Sequence, residues 1–234
     1  MSAREIRSQL EALADPDQAD RLQRFFKTGP GQYGQGDRFR GIKVPPLRKL
    51  AKSYQGLSLS QVSRLLRSAM HEDRLLALLI LTYRFPKEKQ EGRKTLFDFY
   101  LANTARINNW DLVDLSAPHI VGAYLAEGDK QPLYRLAHSS NLWERRIAII
   151  STLYFIRLLC FDDTLRIAAL LRDDRHDLIH KAVGWMLREV GKRERSVLEG
   201  FLADHYPHMP RTMLRYAIER LPEERRQDYL KGRI

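Results

Sequence analysis

RIAIISTLYFIRLL, residues 146–159, is apolar at the period of one helix face and is too long for an ordinary strand. LLALLILTYRF (75–85) and DLIHKAVGWMLREV (177–190) read the same way, so the chain is all-α. Its first repeat unit can be followed in both directions from RRIAII at Arg145. RLLALL starts at Arg74, WDLVDL at Trp110, HKAVGW at His180 and RYAIER at Arg215. Successive starts are 36, 35, 35 and 35 residues apart. The third and fourth positions are apolar in all five: Leu76 and Ala77, Leu112 and Val113, Ile147 and Ala148, Ala182 and Val183, Ala217 and Ile218. A period of this length with two helices per unit points to a HEAT-like α-solenoid, stacked antiparallel helix pairs in a single domain over 1–234.

At about 100° per residue, positions three and four form the core stripe and positions one, two, five and six form the opposite arc. Trp110 is position one and Asp114 position five of the second unit; Arg146 is position two of the third, and Trp185 position six of the fourth. The arc also receives Arg74, Arg145, His180, Lys181, Arg215 and Arg220. In a solenoid the shared arc lines the concave face, which here is expected to be basic.

The remaining sequence agrees. The 234 residues carry a formal net charge of +11, which points toward a polyanion. The lone cysteine, Cys160, rules out an intrachain disulfide and a Cys-rich zinc site, fits a reducing cytoplasm and reads as a small core residue. The N-terminal MSAREIRSQL is charged and amphipathic, without the apolar core of a signal peptide. No apolar run approaches the roughly 18 residues that span a bilayer. Asp15-Pro16 reads as a helix cap followed by proline at the first helical position. KTGPGQYGQGDRFRGIK, residues 27–43, reads as a long Gly-rich loop.

NNWDLVDLSAPHIVG (108–122) reads as a helix with Trp110 and Asp114 on one face. A carboxylate on a basic arc has two readings. It pairs with Arg145 or Arg146 and stiffens the surface, or it faces positive charge that builds on a sugar as a glycosidic bond breaks. Indole faces beside it would add attraction for a cation.

INNWDLVDLSAPHIVG, NLWERRIAII and HKAVGWMLREVGK together resemble the AlkD-type alkylpurine DNA glycosylases, over about residues 35 to 220. FRGIKVPPLRKLAK is similar to that family's GI-x-x-P-x-x-R segment, with Arg48 at its arginine. The resemblance implies a HEAT-like solenoid that excises cationic lesions such as 3-methyladenine and 7-methylguanine from double-stranded DNA. It puts Trp110, Asp114, Arg146 and Trp185 at the lesion-facing cleft, with catalytic roles for Asp114, Trp110 and Trp185. It also implies that the lesion stays stacked in the duplex. DNA contacts are expected from Arg146, Arg145, Lys181, Arg215 and Arg48. A monomer needing no cofactor or metal and leaving an abasic site is the implied enzyme; no lysine accompanies the pair to form an imine. The 27–43 loop is longer than the best-known family pattern, and Phe25, Phe26 and Tyr33 all stand open as its DNA-contacting aromatic. The other classes are a DNA-binding solenoid without excision and a protein-binding scaffold.

His176 and His180 have the i, i+4 spacing of a metal pair without a third ligand, so helix-start polarity and phosphate contact are the ordinary readings. Trp143 falls at the edge of the apolar side and reads as core, His119 reads as a surface or interhelix residue, and Asp111 at the helix start favours the helix dipole.

Overall fold

The computed structural model describes residues 3–234; Met1 and Ser2, the first two residues of the N-terminal amphipathic stretch, lie outside them. The described residues are helical and contain no sheet, only an isolated bridge between Arg38 and Met70. They form two compact units that meet in sequence between Ser116 and Ala117.

The first unit holds α1 (Ala3–Ala12), α2 (Pro16–Phe25), α3 (Val44–Ser53), α4 (Leu59–Leu66), α5 (His71–Arg84), α6 (Gln90–Leu101) and α7 (Trp110–Asp114). Ile6 and Leu10, four apart, are the buried line of α1. Asp15 caps α2 as expected, its carboxylate accepting from the Gln18 N–H at 3.0 Å, with Pro16 at the first helical position. Helices α3, α4 and α7 pack on α5, whose residues from His71 to Leu81 are all buried. A helix apolar most of the way round has to be central.

The second unit holds α8 (Ala123–Leu125), α9 (Gln131–Ala137), α10 (Leu142–Ser151), α11 (Leu153–Arg157), α12 (Asp162–Leu170), α13 (Asp177–Gly191), α14 (Arg195–His205), α15 (Arg211–Ala217) and α16 (Glu223–Lys231). Here α13 packs on α10 and α15, so helices that start successive repeats lie side by side, and α9 and α14 pack as the partner layer. Gly184 lets α15 approach: a Cβ there would lie 2.5 Å from the Met213 carbonyl. All ten residues of the repeat stripe are at most 1% exposed, which bears out the repeat register. Each of its leucines and isoleucines contributes about 1.5–3 kcal/mol by burial.

Three readings are corrected. The 108–122 stretch is not one helix. Pro118 lacks the N–H that would bond the Asp114 carbonyl, so α7 ends at Asp114 and the chain resumes as a π-helical turn, Pro118–Gly122. Cys160 is exposed, because α11 stops at Arg157 and the chain turns out through Leu158 and Leu159, the latter in the left-handed region at φ 61°. The arc is not uniformly open: Arg74, Leu75, Leu78 and Leu79 of the first repeat are all buried, and Arg74 pairs with Asp37 of the 27–43 loop. Trp143 is core, and His119 is exposed, as expected.

Candidate functional site

Three of the five position-one side chains bond back to the short junction that leads into their repeat helix. Arg74 Nη1 donates to the carbonyls of Ser68 and Ala69 at 3.1 and 3.4 Å. Arg145 Nη1 donates to those of Ser139 and Ser140 at 3.0 and 2.9 Å. His180 Nε2 meets the Asp174 carbonyl at 2.5 Å. In all three one acceptor sits six residues back, so position one ties its own junction. The first and third junctions match further. Ser68 Oγ donates to Asp73 and Ser139 Oγ to Glu144, at 2.7 and 2.5 Å, while Met70 N and Asn141 N donate to those same hydroxyls.

Trp110 departs from this pattern. Its indole cannot tie a junction in this way, and it lies instead against Phe26, ring centroids 5.0 Å apart and 14° from parallel. Phe26 stacks in turn on Phe39 at 5.0 Å, and Phe39 on His71 at 4.5 Å. Phe25, 63% exposed, puts its edge toward Trp110 at 5.9 Å. Phe26 is therefore a buried wall and Phe25 the exposed aromatic beside Trp110. Tyr33 is set apart from both roles, its hydroxyl reaching the Phe25 carbonyl at 3.5 Å.

A buried polar network fixes the start of α7. Asn109, with no exposed surface, caps the helix by accepting from the Trp110 N–H at 2.8 Å and donates from Nδ2 to Asp37 Oδ2 at 3.0 Å. Asp111 accepts from the Leu112 N–H at 2.9 Å and from His71 Nε2 at 2.8 Å. The other imidazole nitrogen faces Asp37 Oδ2 at 3.3 Å, and Arg74 Nη2 donates to Asp37 Oδ1 at 2.6 Å. Burial works against the Asp37 carboxylate, but the His71 bond, the Arg74 charge and the Asn109 bond outweigh it and hold its pKa below the usual range. Burial likewise works against the His71 cation, yet the charges and bonds of Asp111 and Asp37 push its pKa up to about 9. Asp111, read as a dipole residue, is thus chiefly the partner of His71.

The 27–43 segment is a loop, as expected, and its second half is clamped. Buried Glu72 accepts from the N–H groups of Arg40, Gly41 and Ile42 at 2.9, 2.8 and 3.1 Å. Arg40 pairs with Asp73 at 2.8 Å and also with Glu11. Gly41 has φ 85°, and a Cβ there would lie 2.0 Å from the Asp15 carbonyl, so only glycine fits. HEDR, residues 71–74, is thus a buried clamp and not a solvated helix start.

Asp114 ends α7, half-buried, one helical turn after Trp110. Near it the buried Tyr100 hydroxyl shares a 2.9 Å hydrogen bond with Ser116 Oγ, and burial together with the Asp114 charge raises its pKa, so it keeps its proton. In the second unit Trp185 is half-buried on α13, beside Gly184. Arg146 is only 5% exposed, a correction to its place on an open arc: its guanidinium donates to the Leu178 carbonyl at 2.5 Å and ties α10 to α13. Arg145 pairs with Asp174 at 2.6 Å. Lys181 pairs with Asp177 at 2.7 Å. Arg215 and Arg48 are exposed. His176 caps α13, its ring accepting from the Leu178 N–H at 3.1 Å. His71, Asp37 and Asn109 were missed from the sequence, and Phe26 was named only as one of three open aromatics; the S-x-x-x-x-[DE]-R pattern at 68–74 and 139–145 was the available signal that position one serves the junctions.

The model of the DNA alkylation repair enzyme family matches residues 6–221. No curated protein matches the chain. Among solved structures, one described as a predicted DNA alkylation repair enzyme from Enterococcus faecalis is similar with a TM-score of 0.70 at 18% identity. The match covers 90% of this chain and 97% of that one. AlkD2 from Streptococcus mutans gives 0.53 at 18% identity, over 94% and 99% of the two chains. The smu.31 structure from Streptococcus mutans UA159 gives 0.55 at 16% identity, over 85% and 94%. At these identities the structures establish a shared all-α fold.

Proposed function

The chain belongs to the DNA alkylation repair enzyme family, and from that membership we propose that it is a monofunctional alkylpurine DNA glycosylase. Its substrates are cationic purines, 3-methyladenine and 7-methylguanine, in duplex DNA, and its product is an abasic site. A base that is already cationic leaves with the electron pair of the C1′–N bond and becomes neutral, so no general acid is required. Water bonds to C1′ and gives up a proton to solvent. The developing positive charge on the sugar is what Asp114 stabilises, and the indoles of Trp110 and Trp185 add cation–π attraction.

The observation that carries this reading is the exception at Trp110. Three of the other four repeats tie a junction with position one and the fifth leaves Arg215 exposed, whereas here position one holds an indole stacked on Phe26 one turn before a carboxylate. Phe25, exposed beside it, is the aromatic that reaches the duplex. Arg48 and Arg215 supply phosphate contacts; Lys181, shared with Asp177, adds one. Arg145 and Arg146 contribute by holding α10 and its junction in place. The lesion is held without being flipped out, and the enzyme acts as a cytoplasmic monomer. No described helix is long and apolar enough to cross a membrane.

The test is single-turnover release of 7-methylguanine by the wild type and Asp114→Asn. Excision should slow by at least about tenfold, roughly 1.4 kcal/mol at the barrier. Binding to an abasic-analogue duplex should hold or improve, since a charge that repels phosphate has gone. Wild-type rates in the mutant would refute the role of Asp114. Tight binding by a wild type that releases no base would favour a DNA-binding protein without excision.

A further inference from the structure

We propose that His71 is a positioning residue for the Trp110–Asp114 pair, bridging Asp37 of the 27–43 loop and Asp111 of α7 as an imidazolium. The inference rests on the glycosylase reading for its catalytic consequence and on geometry for the rest. His71 is 2% exposed, and each ring nitrogen faces a carboxylate oxygen, Asp37 Oδ2 at 3.3 Å and Asp111 Oδ2 at 2.8 Å. An ionised carboxylate only accepts, so both nitrogens must carry protons. Charge agrees: Asp37 and Asp111 are balanced by Arg74, which pairs with Asp37, and by a charged His71. A neutral ring would leave a buried carboxylate facing a nitrogen lone pair, a costly arrangement.

What the bridge holds is α7. That helix has only five residues, too few to fix its own direction, and Pro118 prevents it from continuing. Its first turn is gripped by two side chains, Asn109 to Asp37 and Asp111 to His71. The groups facing His71 from the neighbouring elements are Asp37 and Phe39 from the loop, Phe26 after α2, and Asp111 from α7. Arg74 and Asn109 face it only through Asp37. Glu72 and Asp73 turn away, to the loop N–H groups and to Arg40. The same Phe26 that lies against His71 stacks on Trp110, so a shift of the imidazole reaches the indole by two routes. Neither Phe26 nor His71 touches the reacting atoms in this scheme. They set where Trp110 and Asp114 stand, and displacements of about 1 Å can cost on the order of a hundredfold in rate.

Loss of the second proton should release the bridge. With a His71 pKa of about 9, that happens well above neutrality.

The experiment has two arms. In the first, a Trp143→Phe/Trp185→Phe protein leaves Trp110 as its single tryptophan, and emission is followed from pH 7 to 10. A transition near pH 9 that is absent when His71→Gln or Asp111→Asn is added supports the inference. Emission that is indifferent to pH and to both substitutions overturns it. If His71→Gln fails to fold, the titration of the His71 protein against Asp111→Asn still decides. In the second arm, chains with all three tryptophans excise 7-methylguanine under single-turnover conditions at pH 7. His71→Gln should lower excision about tenfold or more with affinity for an abasic-analogue duplex within about twofold. A loss of rate no larger than the loss of affinity would count against positioning. If the wild type excises nothing, the glycosylase reading falls, and the emission arm judges the bridge alone.

Discussion

The junctions before α5 and α10 are built alike, and the one before α7 is not. At Ser68–Arg74 and Ser139–Arg145 a serine bonds an acidic side chain five residues on, and an arginine ties two carbonyls. At Thr104–Trp110 the last position is an indole, and the grip comes from elsewhere, from Asp37 on Asn109 and from His71 on Asp111. A repeat that meets its backbone needs locally can leave its position-one side chain structural. The repeat that gives up that side chain needs a second anchoring system, and this one takes it from the 27–43 loop and α5. A local pattern given up at the second repeat, with support supplied around it, is what is expected of a functional site.

The two arginine junctions differ in burial, which gives the largest expected effect. Arg74 and Asp37 are both almost fully buried, and Arg74→Met would leave the Asp37 and Asp111 carboxylates with His71 as their one buried cation and loosen it. Denaturant unfolding should show a loss of about 3–5 kcal/mol. Arg145, with an 18% exposed side chain, should cost only about 1–2 kcal/mol on change to Met, since its side of the pair is open to water and Asp174, though 6% exposed, keeps the His176 N–H as a donor. Equal losses at the two would mean that the junctions are not distinguished by burial.

The tryptophans sharpen the same contrast. Trp143→Ala truncates a core residue and should cost about 3–5 kcal/mol of stability. Trp110→Ala should cost clearly less, because the indole is half-buried, while excision falls by about tenfold or more. A melting drop at Trp110 as large as that at Trp143 would make it one more packing residue.

The anchoring system also carries a pH signature that the arginine junctions lack. Folding raises the His71 pKa from an ordinary 6.5 to about 9, so the folded protein keeps a proton that the unfolded chain releases. The stabilisation is complete below about pH 6.5 and fades as pH rises to about 9. Stability measured across that window should decline in the wild type and stay flatter in His71→Gln. A parallel decline in both would assign the effect to other groups.

The smallest effect belongs to the exposed cations. Arg48→Ala together with Arg215→Ala should reduce the slope of log affinity against log salt by roughly one unit per lost phosphate contact. Arg74→Met should leave that slope unchanged, since its guanidinium is committed to Asp37 and the junction. A slope altered by Arg74 and not by the exposed pair would invert the division between structural and binding arginines.

The helical class, the repeat register, the Asp15 cap and the core place of Trp143 were all determined by the sequence alone. They depend on local propensity and on periodicity, which neighbouring residues carry among themselves. The ten stripe positions could be named because every repeat must bury the same face. The fate of the arc was decided by tertiary structure. Arg74, Arg145 and Arg146 look like free cations in sequence, yet each is consumed by carbonyls or carboxylates that the fold brings to it. His71 and Asp111 are separated by 40 residues, and Asp37 and Asn109 by 72. No helical period relates residues so far apart; only the return of the 27–43 loop onto α5 and α7 places their charges together. Burial then fixes the outcome, because a charge withdrawn from water must find its partner within the fold.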